Sequence, residues 1–118
     1  MKTINISSDT LLKIKHNIKN KHGSLNTNEF KKIKINEKIL LQSNFSDLLV
    51  KIINIEKFDT FVEMATTYGI DNIIINSNNT NDSLQKYYDY YLIDKKKKYG
   101  GIMFTFEPIS SISLTCFK

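Results

Sequence analysis

Apolar side chains occupy both phases of an extended chain over residues 48–55. Leu48, Val50, Ile52 and Asn54 fall on one side, and Leu49, Lys51, Ile53 and Ile55 on the other. Both sides are mostly apolar and rich in β-branched residues, which predicts a strand covered on both faces. The pattern ends at Glu56 and Lys57, where Asp59 or Thr60 offers a helix N-cap. Thr60 and Glu63 have capping-box spacing, and Phe61, Met64, Ala65 and Tyr68 follow at helical intervals. Gly69 supplies the stop. The rest of the chain reads as wrapped around this strand and its helix.

Residues 2–7 alternate weakly and predict a first strand. Ser8 or Asp9 can cap a helix that carries Leu11, Leu12, Ile14 and Ile18. At about 100° per residue Leu11, Ile14 and Ile18 form one buried side. Lys15 falls at its rim, where the ammonium either faces a cleft or snorkels to solvent. Asn17 or Asn20 can end the helix in a left-handed turn. Residues 21–26 are an ambiguous extended segment, and Gly23 within them suggests a bend or a close backbone approach. A turn at 27–29 leads to alternation over 30–35, with Ile33 and Ile35 inward and Lys32 and Lys34 outward. A tight turn at Asn36 and Glu37, a short strand at 38–43 and a hairpin loop at 44–47 return the chain to the central strand.

Beyond the central helix, residues 70–75 read as an apolar connection and 76–81 as an exposed, mobile polar loop. Asp82 or Ser83 starts a second amphipathic helix. Its spacing predicts a buried stripe of Leu84, Tyr87, Tyr88, Tyr91 and Leu92, with the tyrosines as packing rather than a base-stacking platform. Residues 95–98 are all lysine and suit the end of a helix dipole. Tyr99, Gly100 and Gly101 turn the chain into a clean strand over 102–107, stopped by Pro108. Ile112, Leu114 and Cys116 alternate again as an edge strand in the tail. Strands dominate, so the expectation is a single α+β domain: a small β-barrel of five to six strands with two or three short helices.

Composition narrows the class. A chain of 118 residues with 41% hydrophobic residues can bury a core and is too apolar for wholesale disorder. Apolar runs are triplets, and Lys2 is followed by no hydrophobic leader, so neither a membrane span nor a signal peptide is expected. A cytoplasmic or nuclear protein follows as the default. The single Cys116 excludes an internal disulfide and argues against a cysteine metal site. No cofactor or metal is implied.

All 17 basic residues are lysine. With heavy use of Ile and Asn, this points to an AT-rich genome, such as that of a large DNA virus or an AT-rich microbe. Without guanidinium forks, phosphate contacts must use lysine point charges. The charge is uneven. Residues 1–57 hold 11 lysines against 5 acids, a net of +6, while 58–118 hold 6 against 7, a net of −1. Seven lysines and one acid lie within 13–34. Such a patch is either a polyanion site or a lysine-decorated solvated face.

Three segments carry a family resemblance. Residues 30–39, FKKIKINEKI, are similar to aromatic-x-x-Ile-Lys-Val-Gly-Asp-x-Ile. Residues 50–61 are similar to V-x-x-V-x-x-Y-x-S-F, and 87–103 to a Tyr-rich helix that turns at Gly into the last strand. In this order and spacing they resemble the ASCH domain, a branch of the PUA-like β-barrel superfamily. The resemblance covers about residues 10–107, with 108–118 as a C-terminal extension. The family's K-x-G-x-K-T segment, at the cleft between helix and barrel, aligns with Lys15 through Ser24. Both lysines are kept, as Lys15 and Lys19. The family's Gly is Asn17, its Thr is Asn20, its acidic or Thr position is His22 and its Arg is Ser24. The Gly of the basic turn is Asn36.

The resemblance implies an RNA- or nucleotide-binding module with a lysine-lined cleft. Lys15, Lys19, Lys21, Lys31, Lys32 and Lys34 would meet phosphates, single-stranded nucleic acid included. His22, Ser24, Asn26 and Tyr99 would meet base or sugar. Some family members resemble amidohydrolases of acetylated cytidine, and others are linked to RNA cleavage. A hydrolase here would use Lys19 with His22 or Ser24, although the family nucleophile and Arg positions are replaced. A third reading is a protein-interaction module of transcription or translation regulators, pairing through the tail edge.

Overall fold

The computed structural model describes residues 2–69 and 80–109. Five strands and four helices form among them. In chain order they are β1 (Lys2–Asn5), α1 (Ser8–Lys15), β2 (Lys21–Leu25), α2 (Asn28–Lys31), β3 (Lys38–Gln42), β4 (Asp47–Phe58), α3 (Phe61–Tyr68), α4 (Thr80–Lys97) and β5 (Gly101–Pro108). The strands make one sheet in the order β1-β3-β4-β5-β2, curled into a half-barrel. β1 runs parallel to β3 and every other pair is antiparallel. This is the small α+β barrel-like architecture that the strand-rich pattern predicts.

β5 packs against both layers. Ile102, Phe104 and Phe106 face one layer, a core with Leu11 and Ile14 of α1 and Ile39, Leu41, Val50 and Ile52 of β3 and β4. Gly101, Met103 and Thr105 alternate with them, and Met103 packs with Phe61, Met64 and Leu25 in a second layer beneath α3. The strand buried on both faces is therefore β5, not β4.

β4 has one buried face in its first half, at Leu48, Val50 and Ile52, while Ile53 is exposed. The reason is an irregularity between Ile52 and Asn54. Ile52 pairs with Phe106 and Asn54 with Thr105, so Ile53 is an extra residue in the ladder. Beyond it the parity reverses. Ile55 turns to the α1 core, and Phe58 packs in the layer beneath α3.

The helix ends follow their capping chemistry. Ser7, not the expected Ser8 or Asp9, caps α1, its Oγ accepting from Thr10 N at 3.2 Å, and those two residues form the first turn. Thr60 caps α3, its Oγ1 accepting from Glu63 N at 3.0 Å. α1 stops at Lys15, and Asn17 adopts φ 61°. Ile18 thus leaves the helical periodicity and is 74% exposed, not part of the buried stripe.

The strand expected over 30–35 is not formed. Thr27 opens the short helix α2, and its turn brings Phe30 and Ile33 inward at a spacing of three. The Phe30 ring meets Phe104 edge-on at 5.8 Å. Ile33 is 5% exposed and Ile35 51%. Helical spacing wins because, among the described residues, no strand lies beside this segment to pair with it.

α4 is rotated from its expected setting. Tyr87 and Tyr90 pack on Phe61, with ring centroids 5.6 and 5.7 Å away, and Asp94 completes the inward face. Leu84, Tyr88 and Leu92 are exposed. The buried Asp94 sets this rotation, because its carboxylate is tied to the backbone N–H groups of Phe61 at the start of α3 and Gly100 just before β5. The connection expected at 70–75, most of the loop at 76–81 and the tail edge at Ile112, Leu114 and Cys116 lie outside the described residues. Thr80 and Asn81 already belong to α4. No described helix is long and apolar enough to cross a membrane.

Candidate functional site

Among the described residues β2 is an edge strand, bonded to β5 alone. Its register sets His22 opposite Phe104 and Ser24 opposite Ile102, on the face that carries the α1 core. The ladder extends one pair further, with Asn26 N donating to Gly100 O at 3.0 Å. His22, Ser24 and Asn26 are alternate residues and form one polar row, roughly 13 Å long. They are 7, 8 and 8% exposed.

A buried polar atom without a partner costs about 1–3 kcal/mol, so most find one. Among the described residues His22 Nδ1 and Asn26 Oδ1 have none, and neither does Thr27 Oγ1 next to them. The His22 ring stacks on Phe106 at 6.2 Å with an interplanar angle of 24°. Burial, aided by the positive charge of Lys19, lowers its pKa from 6.5 to about 3. The imidazole is therefore neutral at pH 7. It offers one donor and one acceptor and carries no charge of its own.

The predicted site residues separate into groups. Lys15 is exposed at the last turn of α1, and Lys19 is half-buried in the turn into β2, close enough to act on His22. Lys19 stands at the start of the row that His22, Ser24 and Asn26 form. Lys21 belongs elsewhere. It pairs with Thr105, on the opposite face of the sheet. Its Nζ donates to Thr105 Oγ1 at 3.1 Å and lies 5.8 Å from the centre of the Tyr68 ring. The Tyr68 hydroxyl bonds Glu56, and that bond raises the tyrosine pKa. Tyr99 packs with the apolar layer beneath α3.

Lys31, Lys32 and Lys34 are exposed on α2 and the loop after it. Lys32 lines a cleft of about 230 Å³ with Lys2, Thr3, Glu29, Phe30 and Ile33. Lys2 is already engaged there, donating to Glu37 Oε2 at 2.7 Å and to Lys32 O at 2.9 Å. The Lys2 hydrogen bond, followed by the one from Lys34 N, holds the Glu37 carboxyl below its usual range. Lys13 pairs with Asp9 at 3.1 Å.

Asp94 went unnoticed in the sequence. Its carboxylate accepts from Phe61 N at 2.8 Å and from Gly100 N at 2.6 Å. It joins the start of α3, the end of α4 and the entry to β5, and its role is structural. The available signal is its position four residues beyond Tyr90 and seven beyond Tyr87, on the same side of the helical wheel. Among the described residues no group of three or more His, Cys, Asp and Glu could hold a metal ion.

A curled five-stranded sheet with α1 on its inner face and a polar row on the edge strand defines a small barrel-like module. Its shape is similar to two solved structures. The hypothetical protein PH0355 matches with a TM-score of 0.63 and 25% identity, over 92% of this chain and all of that one. Protein PF0455 from Pyrococcus furiosus matches with a TM-score of 0.62 and 24% identity, over 92% of this chain and 97% of that one. No family model matches the chain, and no curated protein does.

Proposed function

We propose that the chain is an RNA- or nucleotide-binding module of ASCH-like type, with its site along the inner face of β2. The observation that carries this reading is the pair of buried atoms, His22 Nδ1 and Asn26 Oδ1, that lack a partner among the described residues on one strand face. Base edges present donors and acceptors in a plane, and successive bases of one strand can satisfy the two in turn. Lys15 and Lys19 stand at the α1 end of the row to meet a phosphate or a strand backbone. Lys31 and Lys34 extend the positive field beyond its other end. The neutral imidazole suits recognition, because it adds hydrogen-bonding capacity without a charge to desolvate.

The test is binding of a fluorescent single-stranded RNA, a duplex RNA and a matched DNA at low and moderate salt. Wild type should bind RNA with a steep salt dependence, and a Lys15→Ala/Lys19→Ala double variant should lose most of it. A flat salt response or an unaffected double variant sinks the reading.

A hydrolase is the second reading, favoured by the electrostatic contact between Lys19 and His22 with Ser24 next on the same face. A histidine that titrates near 3 is a weak base and no acid at neutral pH. This reading therefore rests on Lys19 and Ser24. It requires that Lys19→Ala abolish turnover of RNA or an acylated nucleoside while the fold persists.

A further inference from the structure

The rotation of α4 leaves a stripe of aromatic, apolar and basic side chains uncovered. Tyr88, Tyr91 and Lys95 stand at i, i+3 and i+7, on one side of the helix. Tyr88 is 53% exposed, Tyr91 is half-buried, and their rings lie 6.2 Å apart at 31°. Leu84 and Leu92 flank them and are exposed. Lys95, Lys96, Lys97 and Lys98 follow, all exposed, and none makes an ion pair among the described residues. The nearest exposed acid on the helix, Asp89, is engaged by Gln85 Nε2 at 2.9 Å.

We infer that this stripe is a platform for single-stranded nucleic acid, with two bases stacked on Tyr88 and Tyr91 and the strand backbone led over Lys95 and Lys96. The inference rests on the reading of the chain as a nucleic-acid binder and adds a second contact surface to it. Paired exposed aromatics beside a run of cations are the elements from which sequence-tolerant strand binding is built. The distance from Tyr88 to Lys95 is about 10 Å along the helix, so the same short strand reaches both. The strand runs on the outer side of the lysines. On the inner side Lys95 and Lys98 share a cleft of about 290 Å³ with Asp59 and Asp94, which would repel a phosphate. A purely apolar partner fits less well, because it would bury the Lys95 ammonium unpaired.

The chain has no tryptophan, so Tyr88→Trp provides a single reporter. Oligouridylate and oligoadenylate should quench its fluorescence on binding. Tyr88→Ala with Tyr91→Ala should weaken strand binding about tenfold or more. Lys95→Ala with Lys96→Ala should lower the slope of log affinity against log salt by about 1.4. Binding without quenching, or unchanged affinity in the tyrosine pair, overturns the platform. So does a change in the sedimentation of the RNA-free protein in the tyrosine pair with binding intact, which would make the stripe a self-association surface. If quenching persists while Lys15→Ala/Lys19→Ala leaves affinity intact, the platform stands and the β2 site falls. If wild type binds no strand at low salt, both fall.

Discussion

The carboxylate of Asp94 accepts a hydrogen bond from the backbone N–H of Phe61, 33 residues earlier in the chain. Its second oxygen takes the N–H of Gly100. One buried side chain thus closes the start of α3 and the turn into β5 together. Charge-assisted bonds of this kind are worth about 1.5–3 kcal/mol each, and their loss leaves buried N–H groups unpaired. Asp94→Asn keeps the shape and removes the charge. It should cost about 2–4 kcal/mol, seen as a lower urea midpoint with an unchanged slope. A midpoint like that of wild type would show that water replaces both contacts.

Gly100 and Gly69 both have positive φ, 80° and 85°. They differ in their surroundings. A Cβ at Gly100 would stand 2.5 Å from the backbone oxygen of Phe58, whereas nothing lies within 4 Å of one at Gly69. Gly69→Ala should therefore cost only the backbone strain of its extended positive-φ conformation, about 1–3 kcal/mol. Gly100→Ala must also displace β4 and should cost about 3 kcal/mol or more. Thermal unfolding of the two variants side by side tests this order.

His22 makes stability depend on pH. Its folded-state value of about 3 lies below the ordinary 6.5, so the unfolded chain binds a proton that the folded chain does not. The contribution is complete above about pH 6.5 and is lost as pH falls toward 3, at up to about 1.4 kcal/mol per pH unit. Denaturant titrations between pH 5 and 6.5, above most carboxylate titrations, isolate it. His22→Gln should flatten the slope in that window. If the slope stays the same, the imidazole takes up its proton without unfolding.

Much of the fold was legible because caps and strand alternation are local. Thr60, the strands at 38–42 and 101–108, and Asn17 all act through neighbours in sequence, whereas the α1 cap fell one residue before the expected Ser8 or Asp9. The segment 30–35 was misread because Ile33 and Ile35 fit a period of two, while Phe30 and Ile33 fit a turn of helix. Only the absence of a strand beside it decides between them. Ile33→Ala should accordingly cost about 2–4 kcal/mol and Ile35→Ala less than about 0.5. Equal losses, measured by chemical denaturation, would restore the strand. The rotation of α4 was hidden for a similar reason: a carboxylate seven residues beyond Tyr87 outweighs two leucines, and its partners are distant in sequence.

Of the candidate site, the polar row was reached through the family resemblance, not through spacing. Lys21 shows what spacing alone would have changed. It neighbours His22 in sequence, yet alternation sends it to the other face, onto Thr105 and Tyr68. Lys21→Met should lower stability by about 1 kcal/mol or less and leave RNA affinity within about twofold of wild type. An effect as large as that of the Lys15/Lys19 pair would move the site to the α3 side of the sheet.

The extra residue at Ile53 works like a change of reading frame in the sheet. Upstream of it even-numbered positions of β4 face the α1 core; downstream, odd-numbered ones do. Each half of the strand can therefore drift in composition under its own layer's demands. Removing Ile53 would set Asn54 directly after Ile52 and make the alternation unbroken, with Ile55 still on the α1 core and Glu56 still on the Tyr68 side. One residue of slack bends the strand without turning either half over.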